Sequence, residues 1–242
     1  MNAVILDVSG VLRDNQQAIW DSCQRALEQE GITLSATAEQ AYRLRGLAQY
    51  NLVENAIEAL YALDQEKIPV DAAVDSPDDI ADAVKKHPLS KKIEIALDAK
   101  ADFRRTDANH LASIQPLPRS KTALENFAKK YQLGAFSNGG TKFNRAWLAF
   151  HGLDRFFKAI LAEQDVPRKK PHPDGILTCA KLLDTRPQES YYVGDAQSDM
   201  LAAKNAEAVP IGVLSGAATK KQLEAAGAFQ VYADACEASE AL

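Results

Sequence analysis

The sequence predicts an α/β protein: a Rossmann-like parallel sheet with helices on both faces, plus an inserted all-helical domain. Three observations predict it. From about residue 115 onward, short apolar runs that end in turns alternate strictly with amphipathic segments, the pattern of a parallel sheet covered on both faces. One run of the same kind, "NAVILDV", stands alone near the amino terminus and reads as a buried strand. Between them the texture is helical almost throughout. The first strand therefore belongs to the later sheet, giving residues 1–15 and 112–242 as one domain and 16–111 as the helical insert.

The elements follow in order. "QQAIWDSCQRALEQEG" places Ile19, Trp20, Cys23, Ala26 and Leu27 near helical spacing and stops at Gly31. "TAEQAYRLRGLAQYNLVENAIEALYALDQEK" continues as helix, interrupted at Gly46. "SPDDIADAVKK" begins with Ser76 as N-cap, Pro77 at the first helical position and acids in the first turn. "LSKKIEIALDAKADFRRTDANHL" reads as one further helix. Then come helix "SKTALENFAKKY", strand "QLGAFSN", helix "TKFNRAWLAFHGL", strand "FFKAILAE", helix "HPDGILTCAKLL" and strand "SYYVGDA". Helix "SDMLAAKNAE", strand "AVPIGVL", helix "TKKQLEAAG" and strand "FQVYAD" complete the chain.

Composition narrows the function classes. Hydrophobic residues make up 46% and charged residues 25%, ordinary usage that argues against disorder. A net charge of −5 argues against a nucleic-acid partner. No apolar run is long enough to span a membrane, and "MNAVILDVSG" lacks the basic leader of a signal peptide. Cys23, Cys179 and Cys236 are far apart and form no metal pattern, so buried thiols and a cytoplasmic location are expected. A monomer or homodimer acting on a small molecule fits this profile.

In open α/β sheets, ligands bind beyond the carboxyl ends of the strands, near a topological switch point. The first strand delivers Asp7 and Ser9 there. "LGAF" delivers Ser137 and Asn138, followed by Gly139 and Gly140. "YYVG" delivers Asp195, with Asp199 four residues on, and "PRKKPHPD" offers Lys170 between prolines. Converging carboxylates repel one another unless a cation sits among them, and such oxygen ligands suit Mg²⁺ completed by a phosphate. Lysine suits a phosphoryl oxygen. A serine hydroxyl and the N–H groups of a glycine-rich turn suit the same anion. An aspartate so placed is able to attack phosphorus.

The order "DVSGV", "FSN", "KKPHPD", "VGDAQSD" resembles the four motifs of the haloacid dehalogenase-like (HAD) hydrolase superfamily, over residues 1–15 and about 115–242. The nearest subgroup in appearance is the phosphoglycolate-phosphatase-like one, which carries a helical cap between the first two motifs. The resemblance implies that Asp7 is the nucleophile and a Mg²⁺ ligand, and that Ser9 gives the metal its backbone carbonyl. It implies that Ser137 binds phosphate, helped by the backbone at Asn138, and that Lys170 holds the phosphate and orients Asp7. Asp195 is implied as a Mg²⁺ ligand, and Asp199 as one acting through water or as an outer acceptor. Residues around Gly46 (Arg43, Arg45, Tyr50 and Asn51) are implied to read the substrate, and Arg13, at the hinge to the cap, to meet an anionic one.

Ser9 departs from the pattern. Phosphatases of this family usually carry Asp there as general acid and base, help worth roughly 10²–10⁴-fold. The expected function is Mg²⁺-dependent hydrolysis of a small phosphorylated metabolite through an aspartyl-phosphate. The alternatives are a catalytically impaired module that binds a phosphorylated ligand or partner, or other chemistry on the same fold, such as a phosphotransferase or C–P bond hydrolase. "GDAQSD" matches the Mg²⁺ type and argues against dehalogenation. His87, His110, His151 and His172 show no ligand spacing and read as surface or loop residues. Trp20, Trp147 and the Phe156–Phe157 pair read as core.

Overall fold

The computed structural model describes residues 1–47 and 53–242. The chain divides into two compact units, Met1–Asp14 with Arg105–Leu242, and Asn15–Arg104. Among the described residues no helix is long and apolar enough to cross a membrane.

The first unit contains a six-stranded sheet of β1 (Ala3–Leu6), β2 (Gln132–Phe136), β3 (Ala159–Leu161), β4 (Ser190–Gly194), β5 (Val209–Val213) and β6 (Gln230–Tyr232). The strand order is β3-β2-β1-β4-β5-β6, and every pairing is parallel. The chain winds outward from β1 in both directions, so the switch point lies between β1 and β4. Leu6 pairs with Ala135 on one side and Val193 on the other, which puts Asp7, Ser137 and Asp195 just past the ends of three adjacent strands.

Side chains alternate across a strand. Ala3 and Ile5 join Phe136, Tyr192 and the buried residues of α10 (Asp174–Leu182) and α11 (Gln197–Asn205) in one cluster. Helix α8 (Ser120–Ala128) packs against β2 and against α13 (Ala235–Ala241), burying Leu124 and Phe127 completely. Truncating a side chain so buried costs on the order of 3–5 kcal/mol. Helix α12 (Lys220–Ala226) is closed by a capping box at Thr219 and a left-handed Gly227.

The second unit contains α1 (Gln16–Gln29), α2 (Ala38–Arg45), α3 (Val53–Glu66), α4 (Val70–Ala73), α5 (Pro77–Lys86) and α6 (Lys92–Phe103). Their apolar stripes meet in a core that includes Trp20, Leu27, Leu44, Ile57, Leu63, Ile80 and Ile95. Thr37 and Gln40 form a capping box at α2. Ser76 occupies the N-cap position of α5 as expected, but its side chain makes no capping bond.

Four expectations need correction. The segment read as one helix from Leu89 to Leu111 is two, because α6 ends at Phe103 and α7 (Ala108–Ser113) starts afresh with Asp107 accepting from the His110 amide at 3.0 Å. Helix α7 packs with α9 (Thr141–Phe150) of the sheet unit, so the second boundary lies at 104/105 and not at 111/112. His110 is not a surface residue: it is buried, with its ring 6.0 Å from that of Phe143. Phe156 and Phe157 are only half-buried, because that stretch forms a short 3₁₀ turn before a three-residue β3. Trp20 and Trp147 are core, and all three cysteines are buried free thiols.

Candidate active site at the carboxyl edge of the sheet

Four charged side chains converge beyond β1 and β4. Lys170 Nζ lies 3.0 Å from Asp7 Oδ2 and 2.7 Å from Asp199 Oδ1. Asp7, Asp195 and Asp199 each offer an oxygen within 4.8 Å of the others. Their exposures are 7%, 3% and 1%, and that of Lys170 is 4%. Burying charges at this density is costly unless they are paired and hydrogen-bonded, so the partners of each are informative.

Asp7 follows β1 directly. Its amide donates to Val193 O at 2.9 Å, and its Oδ1 accepts from the Val8 amide at 2.7 Å. Asp199 stands in the first turn of α11 and folds back, its Oδ2 accepting from the amides of Asp195 and Ala196, both at 3.0 Å. Asp199 Oδ1 is paired in charge with Lys170 but accepts no hydrogen bond. Asp195 Oδ2 accepts from the Ala217 amide at 2.8 Å. The loop after β5 comes so close that a Cβ at Gly216 would lie 2.0 Å from that same oxygen, so only glycine fits there.

Lys170 is fixed from several sides. The Asn138 side chain brackets its backbone, accepting from Lys170 N at 2.9 Å and donating to Lys170 O at 3.1 Å. Its ammonium donates to the Tyr192 hydroxyl at 3.0 Å, which in turn donates to Phe136 O at 3.0 Å. Burial alone would lower the Lys170 ammonium, but Asp199 and Asp7 outweigh it and hold the pKa well above the ordinary value. Burial raises the Asp7 carboxyl, opposed by Lys170 and reinforced by Asp199. Burial, then Asp199 and Asp7, raise Asp195 well above the ordinary carboxyl range.

The donor set fits a divalent cation. Three carboxylates face one ammonium, and burial, reinforced by the neighbouring acids, pushes two of them upward. An all-oxygen set of this kind is what Mg²⁺ takes.

A glycine-containing turn follows β2. Ser137 is buried, and its Oγ accepts from the Gly139 amide at 3.2 Å. Gly140 then leads into α9. Ser9 is half-buried, and its Oγ accepts from Arg13 Nη2 at 3.0 Å.

The structure therefore brings together Asp7, Lys170, Asp195 and Asp199, with Ser9, Ser137 and Asn138 on the same edge. Three of the remaining candidates lie among the described residues. Arg13 is 1% exposed and packed within the sheet unit, where its Nη2 donates to Ser9 Oγ. Arg43 pairs with Asp71 at 2.8 Å within the helical unit. Arg45 lines a small cavity there with Trp20, Cys23 and Tyr42. Tyr50 and Asn51 lie outside the described residues. Sequence reasoning missed Tyr192, Asn144 and the Gly216–Ala217 loop. For the last a signal existed, in the glycine turn after "AVPIGVL".

Comparison with known proteins agrees with this geometry. The profile of the haloacid dehalogenase-like hydrolase family matches residues 4–213. Phosphoglycolate phosphatase of Escherichia coli (strain K12) is 35% identical over 89 residues, 37% of this chain and 35% of that protein. The corresponding protein of Pasteurella multocida (strain Pm70) is 32% identical over 100 residues, 41% of this chain and 45% of that one. The match thus spans less than half the length of either relative. A hydrolase from Pseudomonas syringae superposes with a TM-score of 0.70 at 23% identity, covering 99% of this chain and 96% of that one. A predicted phosphoglycolate phosphatase from Haemophilus somnus 129PT gives 0.74 at 18% identity, covering 100% and 97%. At these identities the two structures speak for the fold.

Proposed function

The chain belongs to the haloacid dehalogenase-like hydrolases, and from that premise we propose that it hydrolyses the phosphate monoester of a small metabolite with the help of Mg²⁺. The observation that carries the reading is the buried Lys170, ion-paired at once to Asp7 and Asp199 beside Asp195. In this reading Asp7 attacks phosphorus, the bond to the leaving-group oxygen breaks, and an aspartyl-phosphate forms. Water then attacks that phosphorus, the bond to Asp7 breaks, and inorganic phosphate leaves with the carboxylate restored.

Lys170 orients Asp7 and neutralises charge on the transferring group. The Ser137 hydroxyl and the N–H groups of the following turn hold its oxygens. Asp7, Asp195 and the backbone carbonyl of Ser9 would hold the cation, which when bound supplies charge neutralisation. Asp199, with Oδ2 held by two amides and Oδ1 facing the Lys170 ammonium, serves as an outer acceptor that aligns Lys170. The helical unit 15–104 acts as the cap, with Arg43, Arg45 and Tyr50 as candidates for reading the substrate.

Ser9 offers no ionisable proton near neutral pH, so good leaving groups turn over fastest. The test is Mg²⁺-dependent release of phosphate from p-nitrophenyl phosphate and a metabolite panel, with Asp7→Asn as control. Turnover needing both Mg²⁺ and Asp7 supports the proposal. A wild type that binds phosphate without turnover moves the reading to a binding module.

A further inference from the structure

Arg13 is a charged side chain among the largest that are fully buried, at 1% exposure. Its guanidinium carbon lies 4.8 Å from the Phe143 ring centroid and 5.2 Å from that of Trp147. A planar cation over two aromatic rings is well held in a dry environment. Its Nη2 donates to Ser9 Oγ at 3.0 Å and to Asn144 Oδ1 at 2.9 Å.

These two acceptors belong to different parts of the site. Ser9 sits in the loop after Asp7, a loop closed by Gly10 N to Arg13 O at 2.9 Å and by Leu12 N and Arg13 N to Val8 O at 2.9 and 3.1 Å. Asn144 is wholly buried in the first turns of α9, and its Nδ2 donates to Gly140 O at 3.0 Å. A Cβ at Gly139 would lie 2.8 Å from Asn144 Nδ2, 3.5 Å from Ser137 Oγ and 3.7 Å from Arg13 Nη2. Arg13, Asn144 and Ser137 thus form one packed shell around the glycine of the phosphate turn.

We infer that Arg13 is a positioning residue for phosphoryl transfer: it ties the Asp7–Ser9 loop to the Ser137–Gly140 turn and so fixes nucleophile and phosphate site relative to each other. The inference rests on the proposed phosphate hydrolysis. Misplacement of a reacting group by about 1 Å costs on the order of 10²-fold in rate, and a clamp between the two loops guards against that. The side chain at position 9 acts here as an acceptor for the clamp. Ser9 and Arg13 are thereby one unit, so their substitutions should be non-additive.

The test compares wild type, Arg13→Leu, Arg13→Gln, Ser9→Ala and the Arg13→Leu/Ser9→Ala double variant. The readouts are kcat and KM for p-nitrophenyl phosphate, and the affinity for orthovanadate with Mg²⁺ by calorimetry. Circular dichroism melting checks that each variant folds. Arg13→Leu is expected to lower kcat by about 10- to 100-fold and to weaken vanadate in parallel, with KM within about threefold. In the Ser9→Ala background the same change should cost only a few-fold. Arg13→Gln, which keeps a donor without the charge, should fall between and serves if Arg13→Leu does not fold.

A folded Arg13 variant with wild-type kcat and vanadate affinity, or strict additivity with Ser9→Ala, overturns the inference while hydrolysis stands. If wild type lacks turnover but binds vanadate, the hydrolase reading fails, and the clamp is judged on vanadate affinity alone. If wild type shows neither, both are overturned.

Discussion

The two units handle charge in opposite ways. In the helical unit acids meet basic partners pairwise: Arg43 with Asp71 at 2.8 Å, Lys100 with Glu54 at 2.7 Å, Lys92 with Glu58, and Arg25 with Asp102. Charges balance within each pair, and even the better-covered Lys100–Glu54 pair keeps about a fifth of each side chain exposed. At the sheet edge three acids share one lysine, and all four are nearly sealed from water. Balanced pairs of the first kind contribute little. An unbalanced buried cluster persists only where something else requires it, and so the ratio of charges, more than their number, distinguishes this cluster from the structural pairing of the helical unit.

The sharpest way to break the comparison is to remove the same charge type in each unit. Asp7→Asn should abolish turnover with an unchanged circular dichroism spectrum, because the amide cannot attack phosphorus; residual activity above a few per cent would place the nucleophile elsewhere. Lys170→Met strands Asp7 and Asp199 without their ammonium. Breaking a buried pair in this way costs on the order of 3–5 kcal/mol, read by urea denaturation without divalent ions. Lys85→Met, which breaks an exposed pair with Asp82 in α5, should leave the midpoint unchanged. Equal effects of the two lysine changes would dissolve the distinction.

A smaller effect comes from pH. Burial and neighbouring acids raise Asp7 and Asp195 in the cation-free protein. A raised folded-state pKa contributes stability that is complete below the unfolded value near 3.8 and is lost as pH rises through the folded-state value. The cation-free protein thus loses stability toward neutral pH through these two groups, and a bound cation offsets the loss. Millimolar Mg²⁺ should therefore raise the melting midpoint more at pH 8 than at pH 5. An equal rise at both would argue against binding at this cluster. Gly216→Ala should weaken that Mg²⁺ response and lower activity, since its Cβ would press on Asp195 Oδ2. An unaltered response would show that the loop yields without disturbing the carboxylate.

The sheet and the acids at its edge were legible because apolar runs ending in Asp, Ser or Gly mark buried parallel strands and their exits. Tyr192 was not. In a strand covered on both faces nothing in "SYYVGD" distinguishes the tyrosine that reaches Lys170 from its neighbour Tyr191. The burial of Arg13 has no signal in the sequence, where its place at the hinge before the helical insert suggests a meeting with an anionic substrate. Its burial depends on Phe143 and Trp147, one turn apart on α9, which converge on it only in the fold. The break between α6 and α7 carries no Gly or Pro, and its one signal, Asp107 as N-cap, lies inside a run that is otherwise helical.

Trp147 has one more consequence. The chain holds two tryptophans, Trp20 in the helical unit and Trp147 beneath the Arg13 guanidinium. Each unit thus carries a single tryptophan, and the indole of Trp147 stands against a cation that touches the loop after Asp7. Trp20→Phe would leave an emission signal from the arginine side alone, so that occupancy at the sheet edge could be followed by light, with no label and no turnover.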